Sequence, residues 1–225
     1  MKIEPGCYVI AGHYGSGKTE VADNLALCAA GQGMETAIAD LDIVNPYFRT
    51  RECEDALRSR GIKVISSNFY GSRYEDTPGL SPEIASCFLR RDRVNIIDLG
   101  GDPAGARVLG RYKLYLPEKY EMWLVLNKNR AATSTVQAAK GYLRDIEAAA
   151  GLRFTGIINN THFCGATTAE DITTGSTLAL ELSALTGLPV IASCFAEGLG
   201  SVQDAVIAGE AMPLRLLHRP RWMSF

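Results

Sequence analysis

The stretch Gly12-His13-Tyr14-Gly15-Ser16-Gly17-Lys18-Thr19 limits what this chain can fold into more than any other part of it. It fits the phosphate-binding loop pattern of Gly, four residues, then Gly-Lys-Ser/Thr. The apolar run Cys7-Tyr8-Val9-Ile10-Ala11 before it reads as a buried strand, and the run from Glu20 to Ala30 after it reads as a helix. Glycines let successive backbone N–H groups turn inward toward phosphate oxygens. The helix N-terminus behind them adds a field that favours negative charge. The candidate cradle is therefore Gly12, His13, Tyr14, Gly15, Ser16, Gly17, Lys18, Thr19 and Glu20. Lys18 would reach the β- and γ-phosphates, and the Thr19 hydroxyl would sit on Mg²⁺.

Such a loop needs a sheet to carry it, and the rest of the chain supplies the pattern. Strands are predicted at Tyr8–Ala11, Thr36–Leu41, Lys63–Ser66, Val94–Leu99, Met122–Asn127, Thr155–Asn159 and Val190–Cys194. Most are continuous apolar runs, as expected when both sheet faces are covered. Helices are predicted at about 18–31, 47–60, 81–91, 103–113, 131–150, 170–186 and 202–210. Gly151 and Gly187 stand where helix C-terminal glycines belong, and Ser81-Pro82 looks like a helix start. The alternation predicts an α/β fold: a three-layer, doubly wound, mostly parallel sheet in one domain over 1–225. Ligands on such sheets bind at the carboxyl ends of the strands. Residues 67–80 form the longest loop, a lid or merely a connection.

Two acidic clusters close strands where the partners of a phosphate loop would lie. One is Asp40-Leu41-Asp42; the other is Asp98-Leu99-Gly100-Gly101-Asp102. A carboxylate at such a strand end can hold Mg²⁺, and a second can orient the attacking water. Thr19, Asp98 and Asp42 are the candidate metal set, and Lys18, Asp42 and Asp40 the candidate catalytic set. The Gly101 N–H is placed to bond a γ-phosphate and sense its loss.

These segments together resemble the MinD/ParA-like (SIMIBI-class) P-loop ATPases. The loop and the helix after it look like that group's opening motif. Asp40-Leu41-Asp42-Ile43 looks like its second motif, in which the later Asp helps position water. Ile96-Ile97-Asp98-Leu99-Gly100-Gly101-Asp102-Pro103-Ala104-Gly105 looks like its Walker B and switch II segment. Gly156-Ile157-Ile158-Asn159-Asn160 looks like the strand end that supplies an Asn to the base. The resemblance implies a P-loop fold and a Mg²⁺-dependent ATPase working as a switch on a protein partner or as a homodimer. The chain departs from the group at His13, where a lysine usually follows the first glycine and reaches across a nucleotide-sandwich dimer. Histidine is shorter and mostly neutral at pH 7. His13 is either a phosphate contact or an exposed loop residue.

The base is less well specified. Asn159 or Asn160 offers an amide to adenine. Asn127-Lys128-Asn129-Arg130 is similar to the GTPase Asn-Lys-x-Asp signature but lacks its Asp, so ATP is favoured over GTP. Ile43–Arg49 falls at a switch I position. There Arg49, with Arg51 just beyond it, is either a phosphate or partner contact or part of a solvated helix face.

Bulk properties exclude other classes. Net charge is −2 over 225 residues, which does not indicate a nucleic-acid partner. No apolar run reaches the roughly 18 residues of a membrane span. The six cysteines form no Cys-x-x-Cys pair and read as core thiols of a cytoplasmic protein. A small-molecule kinase or ATP-dependent ligase on the same fold is the alternative function. It would need an acceptor pocket, for which loop 67–80 with Arg73 and Tyr74 is the candidate.

Overall fold

The computed structural model describes residues 1–42, 50–66 and 82–218. The switch I segment with Arg49, loop 67–80 with Arg73 and Tyr74, and Ser81 lie outside the described residues, as does the side chain of Arg51.

The strands are β1 (Gly6–Ala11), β2 (Thr36–Leu41), β3 (Lys63–Ser66), β4 (Val94–Leu99), β5 (Glu121–Leu126), β6 (Gly156–Asn159), β7 (Val190–Ala196) and β8 (Glu210–Leu214). They form one sheet in the order β3-β2-β4-β1-β5-β6-β7-β8. Every pairing is parallel. The helices are α1 (Lys18–Gly31), α2 (Glu54–Arg58), α3 (Pro82–Leu89), α4 (Pro103–Gly110), α5 (Val136–Ala150) and α6 (Ala169–Thr186).

The continuous apolar strands follow from helices on both faces, because alternate side chains enter different cores. Along β1, Cys7, Val9 and Ala11 join the core that also takes residues of α3, α4, α5 and α6. Tyr8 and Ile10 join the one that takes Val21, Ala22, Leu25, Ala26 and Ala29 of α1 and Leu57 of α2. This is the predicted three-layer α/β architecture, with the sheet wholly parallel. Gly151 and Gly187 end α5 and α6 in the left-handed conformation, at φ 67° and 77°.

The expected helix over 202–210 is not formed. Residues 200–204 make a 3₁₀ turn, and Glu210–Leu214 makes edge strand β8. Gly209, at φ 71°, breaks the chain there, and a Cβ on it would meet the Ile191 backbone at 2.7 Å. Met212 and Leu214 are buried while Pro213 between them is exposed, the period-2 signature of a half-covered strand. Proline fits because β8 is an edge. The helix expected over 47–60 is regular only at Glu54–Arg58, after a 3₁₀ turn over Thr50–Cys53. Among the described residues no helix is long and apolar enough to cross a membrane.

Candidate functional site

The sheet order places the acidic strand ends beside the loop. β4 lies against β1 and β2 lies against β4, with Ile10 opposite Asp98 and Asp98 opposite Asp40. The loop over residues 12–17 therefore opens at the carboxyl ends of the sheet, next to both acidic clusters.

The loop's glycines are there for space and for backbone sign. A Cβ on Gly12 would lie 2.4 Å from Ser16 Oγ and 2.8 Å from the Val125 carbonyl. Gly17 caps α1 at φ 79°, with no side-chain hydrogen bond to the helix end. By contrast, α4, α5 and α6 are capped by Asp102, Thr135 and Thr168. The first turn of α1 is thus left to the loop, the arrangement that receives an anion.

Around it the charges are tightly paired. Lys18 Nζ lies 2.8 Å from Asp42 Oδ2, both side chains being buried. Burial works against the Lys18 charge, but Asp98, Asp42 and Asp40 outweigh it and raise its pKa above the usual lysine value. The Thr19 hydroxyl donates to Asp98 Oδ2 at 2.7 Å. Burial pushes the Asp98 carboxyl up to about 7, with Lys18 pulling it down and Asp40 adding to the rise. Asp40 Oδ1 accepts the Asp42 N–H at 3.0 Å, so Asp40 shapes the strand end on which Asp42 stands. Among the described residues three buried side-chain atoms lack a hydrogen-bond partner: Asp98 Oδ1, Ser16 Oγ and His162 Nε2. All three belong to the loop or its immediate wall, where a polar ligand would satisfy them.

Gly101 lies against the loop: a Cβ there would meet Gly12 O at 2.7 Å and Tyr14 N at 3.0 Å. The α4 N-terminus closes in behind, since a Cβ on Gly100 would lie 2.9 Å from Gly105 Cα. Gly101→Ala should therefore push the 98–105 segment off the loop, at a stability cost of about 1–3 kcal/mol that urea denaturation measures.

Other expected contacts are used differently. Asn159 is fully buried, its amide donating to Ile172 O, Ser176 Oγ and Ser193 Oγ while its oxygen accepts from Thr161 N. It pins β6 to α6 and β7, which corrects its assignment to the base. Asn160 Nδ2 donates to Ser16 O at 2.8 Å, and so holds the loop from behind. The Glu20 carboxylate accepts from Leu217 N and His218 N, at 2.6 and 3.3 Å, and thus faces the C-terminal segment. His13 stacks edge-on against Tyr142 at 5.7 Å, and Tyr14 is 58% exposed.

Three further neighbours of the loop were not among the candidate site residues. Tyr142 donates to Gly101 O at 3.1 Å, tying α5 to the 98–105 segment. Arg130 Nε donates to Gly15 O at 2.9 Å. Asn127 is buried, its amide 3.4 Å from Gly15 O. Asn127 and Arg130 lie in the segment that is similar to a GTPase motif, and Tyr142 had no mark of its own in the sequence.

No protein-family model matches the chain, and no curated protein does. Solved structures match at the level of fold. FtsY from Mycoplasma mycoides superposes with TM-score 0.56 and 18% identity, over 93% of this chain and 65% of that one. A nucleotide-binding protein from Archaeoglobus fulgidus, solved with ADP, gives 0.54 and 20%, over 84% and 81%. The signal recognition particle 54 kDa protein from Aeropyrum pernix, solved with GDP, gives 0.55 and 22%, over 89% and 44%. The chain thus spans just under two thirds of the first structure's length. The fold is that of the P-loop NTPases.

Proposed function

We propose that this chain binds a Mg²⁺–nucleoside triphosphate in the 12–19 loop and hydrolyses it, as a nucleotide-driven switch acting on a protein partner. The observation that carries this reading is the convergence of Lys18, Thr19, Asp42 and Asp98 on one glycine loop, with Asp98 Oδ1 buried and unpartnered beside it. The likeness of the motifs to those of the MinD/ParA-like ATPases supports the same reading.

The residues fit Mg²⁺. Thr19 Oγ1 and Asp98 are hard oxygen donors 2.7 Å apart, and Asp98 has a carboxylate oxygen with no protein partner. They would hold the ion, with Asp42 behind them. When bound, Mg²⁺ would supply charge neutralisation on the β- and γ-phosphate oxygens.

The chain's own groups account for the rest. A triphosphate competes with Asp42 for Lys18, because phosphate oxygens offer the ammonium a stronger, charge-assisted partner. Lys18 moves its charge to the phosphates, and Asp42 is released to accept a hydrogen bond from the attacking water. The Gly101 N–H follows the γ-phosphate, and Tyr142 passes its position to α5. Loss of the γ-phosphate frees the 98–105 segment and changes the surface offered to a partner.

Asp42→Asn should keep triphosphate affinity within a few-fold and lower turnover by about 100-fold. Single-turnover hydrolysis beside equilibrium binding separates the two, and wild-type turnover in the variant would remove Asp42 from the chemistry.

ATP is the base we propose, because no carboxylate follows Asn127-Lys128-Asn129 to pair with guanine N–H groups. Phosphate release from Mg-ATP and from Mg-GTP, with Lys18→Ala as the blank, decides it. Faster release from GTP would reverse the preference and leave the switch reading standing.

A further inference from the structure

Two Cys–His pairs stand outside the chemistry described so far, and they are built in opposite ways. Cys164 is exposed, its Sγ 3.9 Å from His162 Nδ1. That nitrogen accepts the Cys164 N–H at 3.2 Å, so it turns a lone pair toward the cysteine. Burial, with Arg130 close by, holds His162 down at about 4, and the ring is neutral.

Cys53 is partly exposed, and its Sγ lies 3.6 Å from His218 Nδ1. On the other side of the ring, Nε2 lies 2.6 Å from Asp23 Oδ2. The Asp23 side chain is fully buried, and its second oxygen accepts the Thr50 hydroxyl at 3.0 Å. Burial opposes charge on this ring, but Asp23 and Cys53 overcome it and raise His218 to about 11. As an imidazolium it donates from both nitrogens, to the carboxylate and to the sulfur. The backbone strap that carries the ring is fixed to α1. Asn24 and Arg215 exchange two hydrogen bonds, of 2.8 and 2.9 Å, and Glu20 accepts from Leu217 N and His218 N.

We propose that Cys53 is a reactive thiol, activated by the Asp23–His218 relay, that exchanges with low-molecular-weight disulfides. The relay places a fixed cation against the sulfur on which negative charge resides during exchange. The Cys53 sulfur attacks one sulfur of the disulfide. A Cys53–sulfur bond forms as the disulfide bond breaks, the other half leaves as a thiolate, and solvent takes the Cys53 proton. The three side chains do not make a metal centre, although their donor atoms lie within 4.8 Å of one another. The ring turns a different nitrogen to each partner. The 2.6 Å His218–Asp23 contact is also shorter than the roughly 3 Å that separates two ligand atoms bonded to one zinc ion. The strap that carries His218 is bonded to Glu20, the residue after Thr19 in α1.

The test uses the native full chain and the aromatic disulfide dithiobis-nitrobenzoate at pH 7, with coloured-thiolate release timed and adducts located by peptide mass mapping. A cation held 3.6 Å from the sulfur stabilises the charge that develops there during exchange, and the expected gain in rate is about tenfold. Cys53 should be modified first, about tenfold ahead of the more exposed Cys164. His218→Gln and Asp23→Asn should each bring it down to the Cys164 rate. Modification of Cys164 first in the wild type would overturn the proposal whether or not the variants fold. So would a fast Cys53 phase that survives either substitution.

Discussion

Lys18→Ala should weaken triphosphate binding by at least about 100-fold, a loss of about 3 kcal/mol, because it removes a buried ammonium that bonds charged oxygens. The same substitution should destabilise the nucleotide-free protein. Lys18 is 2.8 Å from Asp42 and is drawn on by Asp98 and Asp40 as well. Taking one partner out of a buried ion pair leaves uncompensated charge and costs about 3–5 kcal/mol. Lys18→Ala/Asp42→Asn should therefore recover much of the stability and none of the affinity. Isothermal calorimetry and urea denaturation on the single and double variants separate the two effects. Undiminished affinity in Lys18→Ala would sink the assignment of the phosphate loop. A double variant no more stable than the single would show that Asp42 is not the group left stranded.

The sequence was legible where structure is set by neighbours in the chain. Thr36–Leu41 and Val94–Leu99 form strands over the residues expected, because every residue of both is buried, and Lys63–Ser66 does so around buried Val64 and Ile65. The loop, Asp98 and Gly101 were legible for a related reason: close backbone approach and a strand-end carboxylate leave a local mark. Strand β8 was not, because as an edge it buries only alternate residues and tolerates Pro213. Asn159 misled because its place in a motif says nothing of which face its amide takes. It points into α6 and β7, where the serines that receive it are 17 and 34 residues away. Tyr142 and Arg130 meet the loop region only through the fold, and no periodicity marks them.

The Asp23–His218 pair is the extreme of that long-range kind, joining residues 195 apart, and it carries the second large effect. His218→Gln should lower stability by about 3 kcal/mol or more at pH 6.5, since it leaves the Asp23 carboxylate buried without its cation. The loss should depend on pH with a definite sign. His218 is raised from 6.5 to about 11 in the folded chain, by Asp23 and Cys53 working against burial. A raised pKa stabilises fully below the unfolded value, and the contribution drains as pH rises through the folded value. The gap between wild type and variant should therefore be widest at or below pH 6.5 and narrow steadily toward pH 11. Urea denaturation of both proteins at pH 6.5, 8 and 10 measures it. A gap that stays constant over that range would mean that the ring is held by packing and not by its charge. The fixed cation beside Cys53 would then be lost as well, whereas the pairing of Lys18 with Asp42 and of Thr19 with Asp98 would stand unchanged.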